Sequence, residues 1–191
     1  MGGRSWSKGG EGGCRKETVQ ERKRFSRQPP LSPFSSPSVV VDTFTSVRYT
    51  VTWFHREILL PKFYRGPHAI TSIVLEAMPE IAQFRVGLLH LFLKHTSASL
   101  AITENADRNV LADLEQALDK LVPENFPYRH SEEGPDDMPS HVKSSLLGCS
   151  LVVPIHDGRL CLGTWQGICL CEHRREASRR HIVLTVQGEG S

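Results

Sequence analysis

Long apolar runs are missing from this 191-residue chain. No stretch approaches the roughly 18–20 residues that a membrane helix needs, so no membrane partner is expected. No apolar core of a secretory signal stands near the N-terminus, which points to a cytoplasmic protein. Aromatics are scarce, at 7%. Together with a hydrophobic content of 39%, that suffices for one core but is low for a chain folded throughout. A large excess of positive charge is lacking too. The formal net charge is +2, which argues against nucleic acid as a partner. Cysteines are few and odd in number, at 14, 149, 161, 169 and 171. Their spacing builds no disulfide framework, so reduced thiols are expected. Also absent are G-x-x-x-x-G-K-[ST], H-E-x-x-H, G-x-S-x-G and a strand-following G-x-G-x-x-G.

What is present divides into two parts. Residues 1–46 hold eight Lys/Arg against four Asp/Glu, with Gly-rich and then Pro/Ser-rich stretches. Neither stretch has a helical or strand period, and neither can bury enough apolar area to offset chain entropy. A disordered extension is expected there. An organelle-targeting role is the alternative, against which Glu11, Glu17 and Glu21 argue. Residues 47–191 read as a folded domain.

Within that domain, "VRYTVTWFHREILLP" reads as a strand and "RVGLLHLFLKH" as a central one, with "SLAIT" extended after it. Thr71 is placed to cap a helix carrying Ile73, Val74, Ala77, Met78 and Ile81, which Pro79 should kink or shorten. Residues 107–121 give the clearest helix, with Asp107 as N-cap and Pro123 as stop. A shorter helix follows in "MPSHVKSSLLG", ended by Gly148. The remainder is β, with a turn at His156-Asp157-Gly158. Two or three helices and at least six strands without regular alternation predict an α+β fold, β-sandwich-like and mostly antiparallel.

Three stretches could carry chemistry. In "YRHSEEGPDDMPSH", four carboxylates lie between His130 and His141. His141 falls near a helix start, and Asp137 could simply cap that helix. Two histidines with acids nearby could hold zinc, or manganese if more oxygens join. In "KHTSASLAITENAD", His95, Thr96 and Ser97 end a buried-looking strand, and Glu104, Asn105 and Asp107 cluster at a helix entrance. Small hydroxyls and a helix N-terminus suit an anion, though strand termination and capping are the plainer roles. In "GRLCLGTWQGICLCEHR", Cys169 and Cys171 share a strand face and read as buried thiols. Trp165 reads as packing. Arg174, Arg175, Arg179 and Arg180 read as a solvated hairpin, with phosphate contact as the alternative.

These three stretches, in this order, closely resemble the YjbQ family, uncharacterised protein family 0047, over about residues 52–189. The resemblance implies a compact α+β sandwich that associates as a homotrimer. It implies a pocket of histidines and acids often holding a divalent metal, zinc or Mg/Mn. It further implies a secondary thiamin phosphate synthase activity, which couples a pyrimidine pyrophosphate to a thiazole phosphate, so a small phosphorylated substrate. On this match His95, His130 and His141 are the expected metal ligands. Glu104, Asn105, Asp107, Glu133, Asp137, Gln166 and Glu172 are the expected catalytic or orienting residues, with Thr96 and Ser97 as anion binders. Thr103 stands where the family pattern has Asn. A non-catalytic oligomeric metal- or anion-binding protein, and a phosphate-ester hydrolase, are the competing readings.

Overall fold

In a computed structural model, the described residues are 51–176 and 178–190. The expected extension at 1–46 lies outside them. Eight strands and three helices follow one another as β1 (Val51–Leu59), β2 (Gly66–Ala69), α1 (Thr71–Ala77), β3 (Phe84–Leu93), β4 (Ala98–Glu104), α2 (Arg108–Leu121), α3 (Asp137–Leu147), β5 (Ser150–His156), β6 (Arg159–Leu160), β7 (Gln166–Glu172) and β8 (His181–Gly190). A short 3-10 helix, Pro79–Gln83, links α1 to β3. None of these helices is long and apolar enough to cross a membrane.

The strands form two sheets, one ordered β1-β8-β3-β5-β6 and the other β2-β7-β4. Every pairing is antiparallel. The expected α+β, sandwich-like architecture is therefore what the chain adopts. Its core lies between the sheets. Leu89, Leu91, Leu93, Ile182, Leu184 and Val186 face Ala98, Leu100, Ile168 and Leu170. Strand β8 alternates buried and part-exposed residues, as a sheet with one face on the core should. Strand β7 is different, being buried from Gly167 to Glu172. It is the middle strand of its sheet. Helix α2 packs beside β2, and α3 beside β4.

Local choices follow from local chemistry. Asp107 caps α2, its Oδ1 accepting from the Asn109 N–H at 2.8 Å, which supplies one of the acceptors a helix start lacks. The β5–β6 hairpin turns through Asp157 and Gly158, both at positive φ, as a two-residue loop matching strand twist requires. Gly148 ends α3 at φ 95.

Two expectations need correcting. Thr71 does not cap α1; Ile70 holds that position. The Thr71 hydroxyl instead accepts from the Ile168 N–H at 2.9 Å. It continues the β2–β7 ladder one step past the end of β2, so the sheet claims the group that the helix might have used. Asp137 does not cap α3 either. It is the first helical residue, following Asp136, and neither side chain makes a cap hydrogen bond. His141 then lies a full turn inside the helix, four residues beyond Asp137. Residues so spaced share a helix face.

Candidate metal centre on helix α3

Helix α3 brings Asp137 and His141 onto one face, and the loop before it returns His130 to the same place. His130, Asp137 and His141 offer ligand atoms all within 4.8 Å of one another. The Nδ1 of His141 lies 2.9 Å from the Thr96 carbonyl oxygen. A carbonyl only accepts, so Nδ1 carries a proton, the tautomer in which a neutral ring would present its Nε2 lone pair to a metal. Such a backbone partner is the usual device for fixing a metal-ligating imidazole. The His141 Nε2 stands 3.4 Å from Asp137 Oδ1, and the His130 Nε2 stands 2.8 Å from Asp137 Oδ2. Despite that proximity, Asp137 Oδ2 is buried and makes no hydrogen bond. The His130 Nε2 stands at ion-pair distance, yet no hydrogen bond of good geometry joins the two atoms. A buried carboxylate oxygen left without a donor is costly, unless a cation completes it. Two imidazole nitrogens and one carboxylate are a donor set that zinc accepts.

The surroundings are built from charges that the sequence hid. Arg174 binds the Asp137 carboxylate through Nη1, and its Nη2 donates to the Glu133 carbonyl at 2.8 Å. Its Nε lies 3.4 Å from Asp136 Oδ2. Glu172 is fully buried and takes both arms of Arg180, at 2.6 and 2.7 Å. Arg180 itself is 4% exposed. These two arginines are ion-paired parts of the site wall, not a solvated hairpin. Burying a carboxylate requires such a partner.

His95 borders the group without entering it. Its Nε2 accepts from the His181 N–H at 2.8 Å, and its Nδ1 faces Arg180 Nη1 at 3.4 Å. Burial, reinforced by the Arg180 charge, lowers its pKa, so the ring stays neutral. His95, Thr96, His130 and His141 line one cleft of about 620 Å³. Beside it, Thr96, Ser97, Asp137, His141, Arg174 and Arg180 line a second, more polar recess of about 330 Å³. Glu133 reaches that recess too, with its side chain 73% exposed.

The remaining candidates lie elsewhere. Strands β4 and β7 pair from Ala98↔Glu172 to Glu104↔Gln166. Their far end, seven residues along, is therefore roughly 20 Å from the histidines. Glu104, Asn105, Asp107 and Gln166 all sit at that far end. There Asp107 caps α2, the Gln166 Oε1 accepts from the Gly163 N–H at 2.8 Å, and the Asn105 N–H donates to the Trp165 carbonyl. Trp165 is 63% exposed in this chain, against the expectation that it packs. Cys169 and Cys171 are free and fully buried, as expected, and burial raises both thiol pKa values, Cys171 to about 12.

Residues 57–189 match the model of a family described as UPF0047 protein YjbQ-like. The chain belongs to that family. It is 48% identical over 137 residues to the UPF0047 protein YjbQ of Escherichia coli O157:H7, covering 72% of this chain and 99% of that one. The YjbQ protein of Salmonella typhimurium is 51% identical over the same length, covering 72% and 99%. Among solved structures, a conserved hypothetical protein from Thermus thermophilus superposes with a TM-score of 0.58 at 32% identity, covering 67% of this chain and 97% of that one. A YbjQ-like protein of unknown function from Sulfolobus solfataricus shares the fold, with a TM-score of 0.66 at 22% identity and coverage of 73% and 100%. The YjbQ-like match thus spans His130, Asp137, His141 and Arg174.

Arg174 and Arg180 are the residues that sequence reasoning misplaced. A signal was available. Both follow a continuous apolar strand ending in Glu172, and an acid on a fully buried strand demands a cation nearby.

Proposed function

We propose that this chain is a metal-dependent enzyme of the secondary thiamin phosphate synthase type, working as a homotrimer on small phosphorylated heterocycles. The observation that carries the metal reading is the buried Asp137 carboxylate, whose Oδ2 has no hydrogen bond and lies 2.8 Å from His130 Nε2, while its Oδ1 lies 3.4 Å from His141 Nε2. His130, Asp137 and His141 would hold the ion, zinc or Mg/Mn. A bound divalent cation supplies charge neutralisation for a departing pyrophosphate.

The chain's own residues supply binding and orientation. Thr96 and Ser97 line the polar recess with Asp137 and His141, and their hydroxyls would donate to phosphate oxygens there. Neutral His95 contributes to the wall of the larger cleft without adding charge there. The two recesses together have the size of a small-ligand site. In the coupling, the thiazole nitrogen bonds to the pyrimidine methylene as the C–O bond to pyrophosphate breaks. No protein nucleophile is needed, so positioning and electrostatics carry the rate.

The test is turnover of a pyrimidine pyrophosphate with a thiazole phosphate, before and after chelation and with metal restored. Product formation that stops with chelator, returns with zinc or manganese, and falls at least about a hundredfold in His141→Ala is the expected result. Turnover indifferent to chelator would overturn the metal-dependent reading.

A further inference from the structure

The Asp137 carboxylate has two differently treated oxygens. Its Oδ1 is bound by the Arg174 guanidinium and lies 3.4 Å from His141 Nε2, while Oδ2 is buried, lies 2.8 Å from His130 Nε2 and has no hydrogen bond of good geometry. Arg174 is held in turn from two further directions, by the Glu133 carbonyl and by the Asp136 carboxylate. The backbone N–H of Arg174 also donates to Glu172 Oε1 at 3.0 Å, and Glu172 is locked by Arg180. A planar fork with fixed donors thus ties the acidic loop and the start of α3 to the end of β7. A lysine, a point charge on a flexible stem, could not reproduce three directed contacts at once.

We infer that Arg174 is the positioning residue of this centre: it fixes the Asp137 carboxylate through Oδ1 so that Oδ2 is offered beside His130, in the group that His141 completes. The inference rests on the metal reading above. Outer partners of metal ligands typically govern about tenfold to a hundredfold of affinity. The opposite outcome has an equally clear physical basis. Arg174 is a cation next to a cation site, and if its charge dominated, removing it would tighten binding.

Zinc affinity, measured on the full chain by competition with a chromophoric chelator, separates the two. Arg174→Ala and Arg174→Lys are both expected to bind zinc about tenfold to a hundredfold more weakly, since each loses the fork. Arg175→Ala, which removes only an exposed partner of Glu124, is expected to bind as the wild type does. Cobalt(II) substituted for zinc provides a second readout. Its visible spectrum should change in both Arg174 variants and stay unchanged in Arg175→Ala, which a general loss of stability would not produce. Equal or tighter zinc binding by Arg174→Ala, or wild-type affinity in Arg174→Lys, overturns the inference while leaving the metal reading intact. Failure of wild type to take up zinc overturns both. If Arg174→Ala does not fold, the lysine variant alone decides between fork and charge.

Discussion

His173 shows how a single residue couples this fold to pH. It is 1% exposed, its Nε2 lies 2.9 Å from Ser99 Oγ, and its Nδ1 is buried without a partner. Burial, aided by the charges of Lys143, Arg65 and Arg180, pushes its pKa down to about 3. The folded protein therefore keeps this ring neutral while the unfolded chain protonates it near 6.5. Between those values the unfolded state binds the extra proton, so stability falls as pH drops below about 6.5, by at most about 1.4 kcal/mol per pH unit for one such group. His95, lowered in the same direction, adds to the effect. Urea unfolding from about pH 7.5 to about 4.5 should show this loss, and His173→Gln should flatten it. A profile equally steep in that variant would assign the acid loss to other groups.

Elements give sharper structural predictions. Removing the α2 cap with Asp107→Ala should cost about 1 kcal/mol, read as a melting-temperature drop of a few degrees. Gly188 sits opposite Gly87 on the β3–β8 ladder. A Cβ there would approach the Val86 carbonyl oxygen to 2.3 Å, so Gly188→Ala should destabilise by about 1–3 kcal/mol, as an overpacked position does. These two elements also mark what was legible in the sequence. Helix α2 announces itself by period, central β3 by its continuous apolar run, and Asp107 and Gly148 by local chemistry. Thr71 did not, because its hydroxyl serves a strand almost a hundred residues away. Lys143 is 1% exposed on α3 and bound to Asp119 and Glu115, and no local pattern marks it as buried. The partners that bury it lie on α2. Pairings across elements carry no local period, and the same is true of Glu172 with Arg180 and of Asp137 with Arg174.

At the scale of the whole molecule, the two sheets sort the polar residues into two ends. The histidines, Asp137 and the buried arginines gather at one end of β4 and β7, and Asn105, Asp107 and Gln166 at the other. No reading of spacing could show this before the register of the two strands was known. His95 and Glu104 lie at either end of β4, and the strand between them carries them apart. The proposed homotrimer has a direct test in sedimentation velocity on the full chain. A single species near three times 21.4 kDa is expected, and a concentration-independent monomer would contradict it. Metal content of the purified protein, wild type beside Asp137→Asn and after incubation with excess zinc, tests the metal centre most directly. About one zinc or manganese ion per chain in wild type, lost in the variant, is the predicted result. A folded wild type that holds no metal even after incubation would contradict it.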